Sequence, residues 1–265
     1  MKKILFFILA LACFSCNNDD EASVQAVFDV ECLPSNLQNG VIAFYPFDNG
    51  SLRDASGNTN DLVNTTTATS APDRNDIPNC AYEFDNTQSQ DEFLTTANSD
   101  YLNNLNSFSV SLWYQPTDEN SDGKTLQGLF SRGNAPRCPD RMGEWSLAIF
   151  DCSKAVFGHD NSVWSEEITD IEEGCEGEIE ARLNTWSHVV GVRDGNNFKI
   201  YFNGILDQEK NTIVDCGINT QPAQDIGDVF VGFGFTGKID DIIVYDREIS
   251  QSEVNELFQV GSCCE

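Results

Sequence analysis

The sequence predicts an all-β fold, an antiparallel sandwich or jelly roll that is closed by one short C-terminal helix. Three observations support this prediction. Apolar and polar residues alternate in many short segments, which is the period of a half-buried strand. Turn-forming pairs, such as Asp194-Gly195 and Asn203-Gly204, separate the segments. A helix signal stands out at only one place, near the C-terminus.

The predicted strands run from residue 41 to residue 245. In SFSVSLWYQP (107–116), Phe108, Val110 and Leu112 fall on one face, so this strand has one apolar side. The other strand segments are, in chain order, VIAFYPF (41–47), LQGLFSR (126–132), WSLAIF (145–150), AVFGHD (155–160), WSHVVGVR (186–193), NFKIYFNG (197–204), DVFVGFG (228–234) and IDDIIVY (239–245). Many short strands with regular turns are typical of sandwiches and jelly rolls.

The helix is predicted just before the C-terminus. Ser250 and Glu253 have the spacing of a capping box, and Val254, Leu257 and Phe258 follow at helical intervals. No Pro/Gly/Ser-rich linker and no internal repeat divides the chain, so we expect residues 32–265 to form one domain.

Residues 1–15 are predicted to be a signal peptide. Lys2 and Lys3 form a basic start, and the apolar run ILFFILALA is too short to span a bilayer comfortably. Because Cys16 follows the small residue Ser15, the segment resembles a bacterial lipoprotein signal, in which this cysteine is acylated. An ordinary secretory signal followed by an incidental cysteine is the alternative.

Residues 16–31 are predicted to be an acidic tether between the lipid and the domain. The stretch NNDDEAS (17–23) resembles the acidic export signal of Bacteroidota lipoproteins that reach the outer face of the outer membrane. This resemblance implies a lipid-anchored protein exposed at the cell surface. A solvated spacer is the alternative interpretation.

The composition excludes nucleic acid as a partner. The chain has 43 acidic and 15 basic residues and a net charge of −28, which repels polyanions. Eight cysteines follow residue 16, an even number that predicts disulfides in an exported protein. They are Cys32, Cys80, Cys138, Cys152, Cys175, Cys216, Cys263 and Cys264. Adjacent Cys263 and Cys264 are expected to pair with different cysteines, because neighbours rarely reach disulfide geometry.

Five motifs occur in an order that resembles a known family. They are VIAFYPFDNGSLRDASGNTNDL, CAYEFD, FSVSLWYQP, NTWSHVVGVRDGNNFKIYFNGIL and GKIDDIIVYDREISQSEVNELF. Together they resemble the LamG-like jellyroll domain of the concanavalin A-like lectin/glucanase group, over roughly residues 38–260. The resemblance implies two stacked antiparallel sheets, one of them curved, with a groove on its concave face.

The resemblance also implies a structural calcium ion that joins the N-terminal and C-terminal strand regions. Carried over by motif, its ligands would be Asp48, Asp54 and Asp240. The alternative is that Asp54 only stabilises a turn through Asx hydrogen bonds. If Asp240 and Asp241 both lie in a regular strand, they point to opposite faces and Asp241 faces solvent.

No catalytic residues are predicted. Retaining glycosidases on this fold need two carboxylates about 5–5.5 Å apart, and alternate acidic residues on one strand supply them. Glu176, Glu178 and Glu180 have that spacing, but they lie in an acidic loop outside the recognisable strands. Neither His159 nor His188 accompanies a recognisable serine or cysteine nucleophile, so the sequence does not predict an enzyme.

Three residues are candidates for a ligand-binding surface. Trp145, His159 and Trp164 could present aromatic faces to a sugar; a core position is the favoured alternative for Trp145, whereas Trp164 lies in a polar loop and is the better candidate for exposure. The leading hypothesis is a non-catalytic surface lipoprotein that binds a glycan or a surface protein. The alternatives are a structural adhesion or assembly module without a small ligand, and a polysaccharide-degrading enzyme whose catalytic residues are not recognisable.

Overall fold

The computed structural model of the chain describes residues 32–88, 92–118, 127–133, 144–150, 154–160, 164–165, 183–211 and 228–264. Its strands are β1 (Val41–Tyr45), β2 (Leu62–Asn64), β3 (Thr69–Ala71), β4 (Ala81–Phe84), β5 (Leu94–Thr96), β6 (Ser107–Pro116), β7 (Gln127–Arg132), β8 (Glu144–Phe150), β9 (Lys154–Asp160), β10 (Trp164–Ser165), β11 (Ser187–Asp194), β12 (Asn197–Phe202), β13 (Ile205–Asn211), β14 (Val229–Val231) and β15 (Gly237–Tyr245). Helix α1 (Gln251–Gln259) follows, and three short 3-10 helices cover Ser35–Gln38, Asp48–Gly50 and Asp100–Leu102.

The strands form two antiparallel sheets, which confirms the predicted sandwich. Among the described residues, the first sheet has eight strands: seven follow the order β13-β12-β11-β6-β15-β4-β3, and the eighth, β1, pairs with β15. The second sheet, counted over the same residues, has seven strands in the order β10-β9-β8-β7-β14-β5-β2. Within the described ranges, no helix is long and apolar enough to cross a membrane.

Two apolar clusters hold the layers together. The larger lies between the two sheets and includes Phe108, Leu147 and Val189. The smaller includes Ile243 of β15 and Val254 and Leu257 of α1. Strand β15 contributes to both clusters, so it is buried on both faces, and this explains the unbroken apolar run at its end.

The local turn and cap predictions are confirmed. Asn203 and Gly204 have φ values of 47° and 84°, the left-handed conformation that a type I′ hairpin requires at both central positions. Ser250 accepts a hydrogen bond from the backbone N–H of Glu253, and the Glu253 side chain accepts one from the backbone N–H of Ser250. Both signals are short-range, and therefore the sequence reveals them.

Strand β15 departs from the expected regular alternation. Its pairing with β6 shifts register between Asp240 and Ile243, and Asp241 has a φ of 45°. This bulge places an extra residue in the strand and turns the Asp241 side chain away from the face that simple alternation assigns to it. Asp241 is 5% exposed, so the prediction that it faces solvent is wrong.

The first sheet is closely packed at one end, around the start of β15. Gly237 is paired with both Phe84 of β4 and Pro116 of β6. A Cβ atom at Gly237 would lie 2.2 Å from the backbone oxygen of Gln115, so only glycine fits there. The ends of β4 and β6 are thereby held on either side of β15.

Candidate ligand-binding groove

A polar groove of about 440 Å³ opens at this end of the sandwich. It receives side chains from the ends of β4 and β6, the residue before β15, and the segments around β2–β3 and Glu92. Its described lining comprises four carboxylates (Glu83, Asp85, Glu92, Asp118), five threonines (Thr67, Thr69, Thr87, Thr117, Thr236) and Phe84. Because no lysine or arginine is among these residues, the groove favours neutral or cationic ligands over anions.

Hydrogen bonds within the groove fix two of its carboxylates. The Glu92 carboxylate accepts from the Thr67 hydroxyl and from the backbone N–H of Asp85, the latter at 2.6 Å. The Asp85 carboxylate accepts from the hydroxyl of Thr87 at 2.7 Å and from its backbone N–H at 3.2 Å. These hydrogen bonds from Thr87 lower the pKa of Asp85, so this carboxylate is charged at neutral pH.

Asn86 connects the groove to a neighbouring turn. Its side-chain amide donates to the backbone oxygens of Glu92, Gly232 and Phe235, at 3.1, 3.1 and 2.7 Å. Its side-chain oxygen accepts from the backbone N–H of Glu92 at 3.0 Å. All the hydrogen-bonding groups of the Asn86 side chain therefore hold backbone in place.

The turn that Asn86 anchors carries part of an aromatic patch. We define this aromatic patch as Phe93, Phe230 and Phe233, whose ring centroids lie 5.1 to 5.9 Å apart. Each of the three is partly exposed, and Phe230 points away from the core because Val229 and Val231 on either side of it are buried. Phe93 directly follows the groove residue Glu92, so the chain connects the patch to the groove.

The sequence did not identify the groove. Glu83 and Asp85 belong to the motif CAYEFD, in which Ala81, Tyr82 and Phe84 are buried. These exposed acidic residues interrupt an otherwise buried strand, and this pattern is the sequence signal that could have indicated a polar site. The groove nevertheless needs side chains from several separate segments, and their approach depends on the sheet order.

The predicted calcium ligands do not come together in the structure. Among the described residues, no three His, Cys, Asp or Glu side chains form a group that could hold a metal ion. Asp48 is exposed, whereas Asp54 and Asp240 are buried. The Asp54 carboxylate accepts from the backbone N–H groups of Phe44, Ser56 and Asn60, at 2.9, 2.9 and 3.0 Å. This is the alternative turn-stabilising role.

Asp240 is part of an ion pair. Its Oδ2 lies 2.5 Å from Nη1 of Arg74, and Oδ2 of Asp241 lies 2.8 Å from the same nitrogen. The two aspartates therefore share one cation, contrary to the expectation that they point to opposite faces. Burial raises the pKa of both carboxyl groups, and the charge of Asp241 raises that of Asp240 further.

The structure places Trp145 in the core. It is 4% exposed and packs against the rings of Phe108, Phe130 and Phe157, with centroids 4.7, 5.8 and 6.2 Å away. Trp145 is therefore not available as a sugar-binding surface. The backbones of His159 and Trp164 lie in β9 and β10, but their side chains lie outside the described part of the structure.

Two disulfides involve four of the predicted cysteines. Cys32 bonds to Cys263 and Cys80 bonds to Cys264, so the adjacent cysteines have different partners, as expected. The remaining candidates (Cys138, Cys152, Cys175, Cys216), the acylation site Cys16 and the acidic residues Glu176, Glu178 and Glu180 lie outside the described residues.

Solved structures with the same fold include a sugar-bound domain and two toxin domains. Domain 4 of AbnA, a GH43 extracellular arabinanase from Geobacillus stearothermophilus in complex with arabinotriose, is 21% identical, with a TM-score of 0.60 over 83% of this chain and 98% of that chain. The binding domain of Paraclostridial Mosquitocidal Protein 1 is 16% identical, with a TM-score of 0.63 over 84% of this chain and 52% of that chain. The binding domain of Botulinum neurotoxin serotype D is 15% identical, with a TM-score of 0.63 over 84% and 51%.

At these identities, the likeness to solved structures shows the fold alone. The chain spans about half the length of the two toxin binding domains. No curated protein sequence matches the chain. A family model described as the concanavalin A-like lectin/glucanases superfamily matches residues 87–255, which is more than half of the chain. The protein therefore belongs to the concanavalin A-like lectin/glucanases superfamily.

Proposed function

We propose that this domain binds a neutral carbohydrate chain at the polar groove and the adjoining aromatic patch, without cleaving it. The observation that carries the proposal is the combination of a polar groove and a partly exposed aromatic patch, which are connected at Glu92–Phe93 and through Asn86. Threonine hydroxyls and carboxylates can exchange hydrogen bonds with sugar hydroxyls, because they supply both donors and acceptors. The partly exposed rings of Phe93, Phe230 and Phe233 offer apolar faces for the C–H groups of a sugar ring.

The pKa of Asp85 does not suit the acid of a glycosidase. A glycosidase acid must keep its proton near neutral pH, and this requires a raised pKa. In the groove, hydrogen bonds from Thr87 lower the pKa of Asp85, which is the opposite direction. The arabinotriose complex of the AbnA domain supports a sugar ligand by analogy of fold.

A glycan array tests the ligand class. We expect the purified protein to bind neutral oligosaccharides, with acidic ones rejected by the groove carboxylates. Replacing Phe233 by Ala should raise the dissociation constant of a bound glycan about tenfold, which corresponds to a loss of about 1.4 kcal/mol in binding free energy. The double variant Asp85→Asn/Glu92→Gln should weaken binding by a similar factor, because amides cannot accept as strongly as carboxylates.

Asp100→Asn is the matched control, since Asp100 is an exposed carboxylate that does not line the groove. It should bind as the wild type does. The absence of binding across the array would favour the structural adhesion module instead. Release of reducing ends from a polysaccharide would contradict the non-catalytic part of the proposal.

We also propose that the protein is lipid-anchored at Cys16 and displayed on the outer membrane. The support is the apolar signal, the position of Cys16 and the acidic tether that follows it. Cys16→Ala should release the protein from the membrane fraction. Replacing the acidic residues Asp19, Asp20 and Glu21 by Ala should retain the lipid but abolish protease accessibility on intact cells. Membrane retention of Cys16→Ala would contradict the anchor.

A further inference from the structure

We propose that the guanidinium of Arg74 is the built-in structural cation of this domain and takes the place of the calcium ion that the family resemblance implies. Arg74 lies in the loop between β3 and β4, and its side chain is 8% exposed. Its Nη1 contacts Asp240 and Asp241, and its Nη2 donates to the backbone oxygen of Val260 at 3.3 Å. One cation thus joins the β3–β4 loop, strand β15 and the C-terminal tail.

The bulge in β15 makes this arrangement possible. In a regular strand, two consecutive side chains point to opposite faces of the sheet, so one guanidinium nitrogen could not contact both of them. The left-handed conformation of Asp241 brings its Oδ2 beside that of Asp240. Trp113 lies against the cation, with its ring centroid 4.6 Å from the guanidinium carbon, and this contact adds a cation–π attraction.

The C-terminal tail is tied to the same cluster. The backbone N–H of Cys263 donates to Oδ2 of Asp241 at 3.2 Å, and the hydroxyl of Ser262 donates to the carboxylate of Asp73, next to Arg74. Disulfides from Cys263 and Cys264 then attach this tail to Cys32 and Cys80. The chain therefore links its N-terminal and C-terminal regions with an arginine and two covalent bonds.

The carboxylates present do not fit a calcium ion. Calcium takes six to eight oxygen ligands, usually including several carboxylates. Here Nη1 of Arg74 already lies against Asp240 and Asp241, and a divalent cation beside it would be repelled. The Asp54 carboxylate is engaged by three backbone N–H groups. Arg74 supplies the positive charge that the buried Asp240 and Asp241 need.

Thermal unfolding with calcium and with EDTA tests the replacement. For each protein, the calcium response is the melting temperature in excess CaCl2 minus that in EDTA. We expect this response to be the same for Asp240→Asn as for the wild type. Any response to calcium would then come from carboxylates elsewhere on this acidic chain. A calcium-induced rise in the melting temperature of the wild type that Asp240→Asn abolishes would overturn the proposal.

Substitution of Arg74 tests its role directly. Arg74→Met leaves two buried carboxyl groups without a cation, and we expect the melting temperature to fall by about 10 °C. Arg74→Met/Asp240→Asn/Asp241→Asn removes the charges together and should recover most of that loss. Arg53→Met, at an exposed arginine, is the matched control and should melt within about 2 °C of the wild type.

The set of variants remains decisive if Arg74→Met alone does not fold. In that case, a folded triple variant would support the proposal, because only the unbalanced charge would distinguish the two proteins. An Arg74→Met protein that melts like the wild type would overturn it. So would a triple variant that is no more stable than Arg74→Met.

Discussion

His188 is buried and packs against the rings of Trp113 and Phe258, which also stack on each other, next to the Arg74 cluster. Its Nε2 is 2.8 Å from the hydroxyl of Ser111, and its Nδ1 has no hydrogen-bond partner among the described residues. Burial and, to a smaller extent, the charge of Arg74 together lower the pKa of His188 from 6.5 to about 3. The imidazole is therefore neutral in the folded protein.

This depressed pKa predicts a loss of stability in acid. The contribution of neutral His188 is fully present above its ordinary pKa of 6.5 and is lost as the pH falls from 6.5 toward 3. Ser111→Ala/His188→Phe removes the hydrogen-bonded pair together, so it should cost less than about 1.5 kcal/mol at pH 7. When the pH is lowered from 6.5 to 4, the melting temperature of this variant should fall by less than that of the wild type.

Ser109→Ala is a matched control on the same strand. Ser109 hydrogen-bonds to the backbone oxygen of Arg247 and the backbone N–H of Ile249, so its partners do not titrate in this range. The Ser109→Ala protein should keep the acid dependence of the wild type. Equal slopes for the wild type and Ser111→Ala/His188→Phe would show that His188 is not responsible.

Asp54 also acts at the scale of a single residue. Its carboxylate is 2% exposed and orders the segment after β1 through three backbone N–H groups. Asp54→Ala leaves these donors unsatisfied, and we expect a loss of about 2–4 kcal/mol in the free energy of unfolding, measured with urea. Asp48→Ala is the control at an exposed position and should lose less than about 0.5 kcal/mol. Similar losses in both variants would contradict this role for Asp54.

At the scale of elements, helix α1 is held by its N-terminal cap and by an ion pair. Glu253 completes the capping box with Ser250 and lies 2.6 Å from Nη2 of Arg247. The hydrogen bond from Arg247 and, to a smaller extent, those from Ser250 together lower the pKa of Glu253 from 4.5 to about 2. The Glu253 side chain remains partly exposed to solvent, which screens its charge, so the electrostatic gain is small.

Glu253→Gln separates the charge from the cap, because glutamine also completes a capping box. The stabilisation from the depressed pKa is present above pH 4.5 and is lost as the pH falls toward 2. We therefore expect Glu253→Gln to lower the free energy of unfolding by less than about 1 kcal/mol at pH 7 and to be closer to the wild type at pH 3. Urea denaturation at both pH values measures the difference.

Glu256→Gln is the control on the same helix. The carboxylate of Glu256 accepts a hydrogen bond from the uncharged side-chain amide of Asn36, a bond that glutamine can also accept. The difference in free energy of unfolding between Glu256→Gln and the wild type should be the same at pH 7 and at pH 3. If Glu253→Gln lost the same free energy of unfolding at pH 7 and at pH 3, the loss would come from packing rather than from the removed charge.

At the scale of the whole molecule, two disulfides tie distant parts of the chain to one tail. Cys32–Cys263 spans 231 residues and Cys80–Cys264 spans 184. Such long loops restrict the unfolded chain strongly. The tail thereby fastens the segment before β1 and the start of β4 to the region that follows helix α1.

Removal of either disulfide should destabilise the protein without altering its fold. We expect Cys32→Ser/Cys263→Ser and Cys80→Ser/Cys264→Ser each to lower the free energy of unfolding by about 2–5 kcal/mol. Peptide mapping of the non-reduced wild type should recover both of these pairs. Recovery of a peptide that joins Cys80 to Cys263 would contradict this connectivity.

The sequence by itself determined the features that depend on neighbouring residues. The two-residue period indicated the main strands, Asn203-Gly204 indicated a type I′ hairpin, and Ser250 and Glu253 indicated the start of the helix. Short strands such as β2, β3 and β5 escaped notice, because three residues are too few to show a period. Trp145 could be read as core or as surface, since composition does not say which face of a strand is covered.

Only the tertiary structure decided the arrangement of the sites. Arg74 and Asp240 lie 166 residues apart in the chain and meet because β15 pairs with β4, near the loop that carries Arg74. The groove forms because the ends of β4 and β6 flank the start of β15 in the sheet. The bulge at Asp241 shifts one side chain to a face that alternation does not predict. These features depend on long-range pairing and backbone conformation, which residue spacing along the chain does not encode.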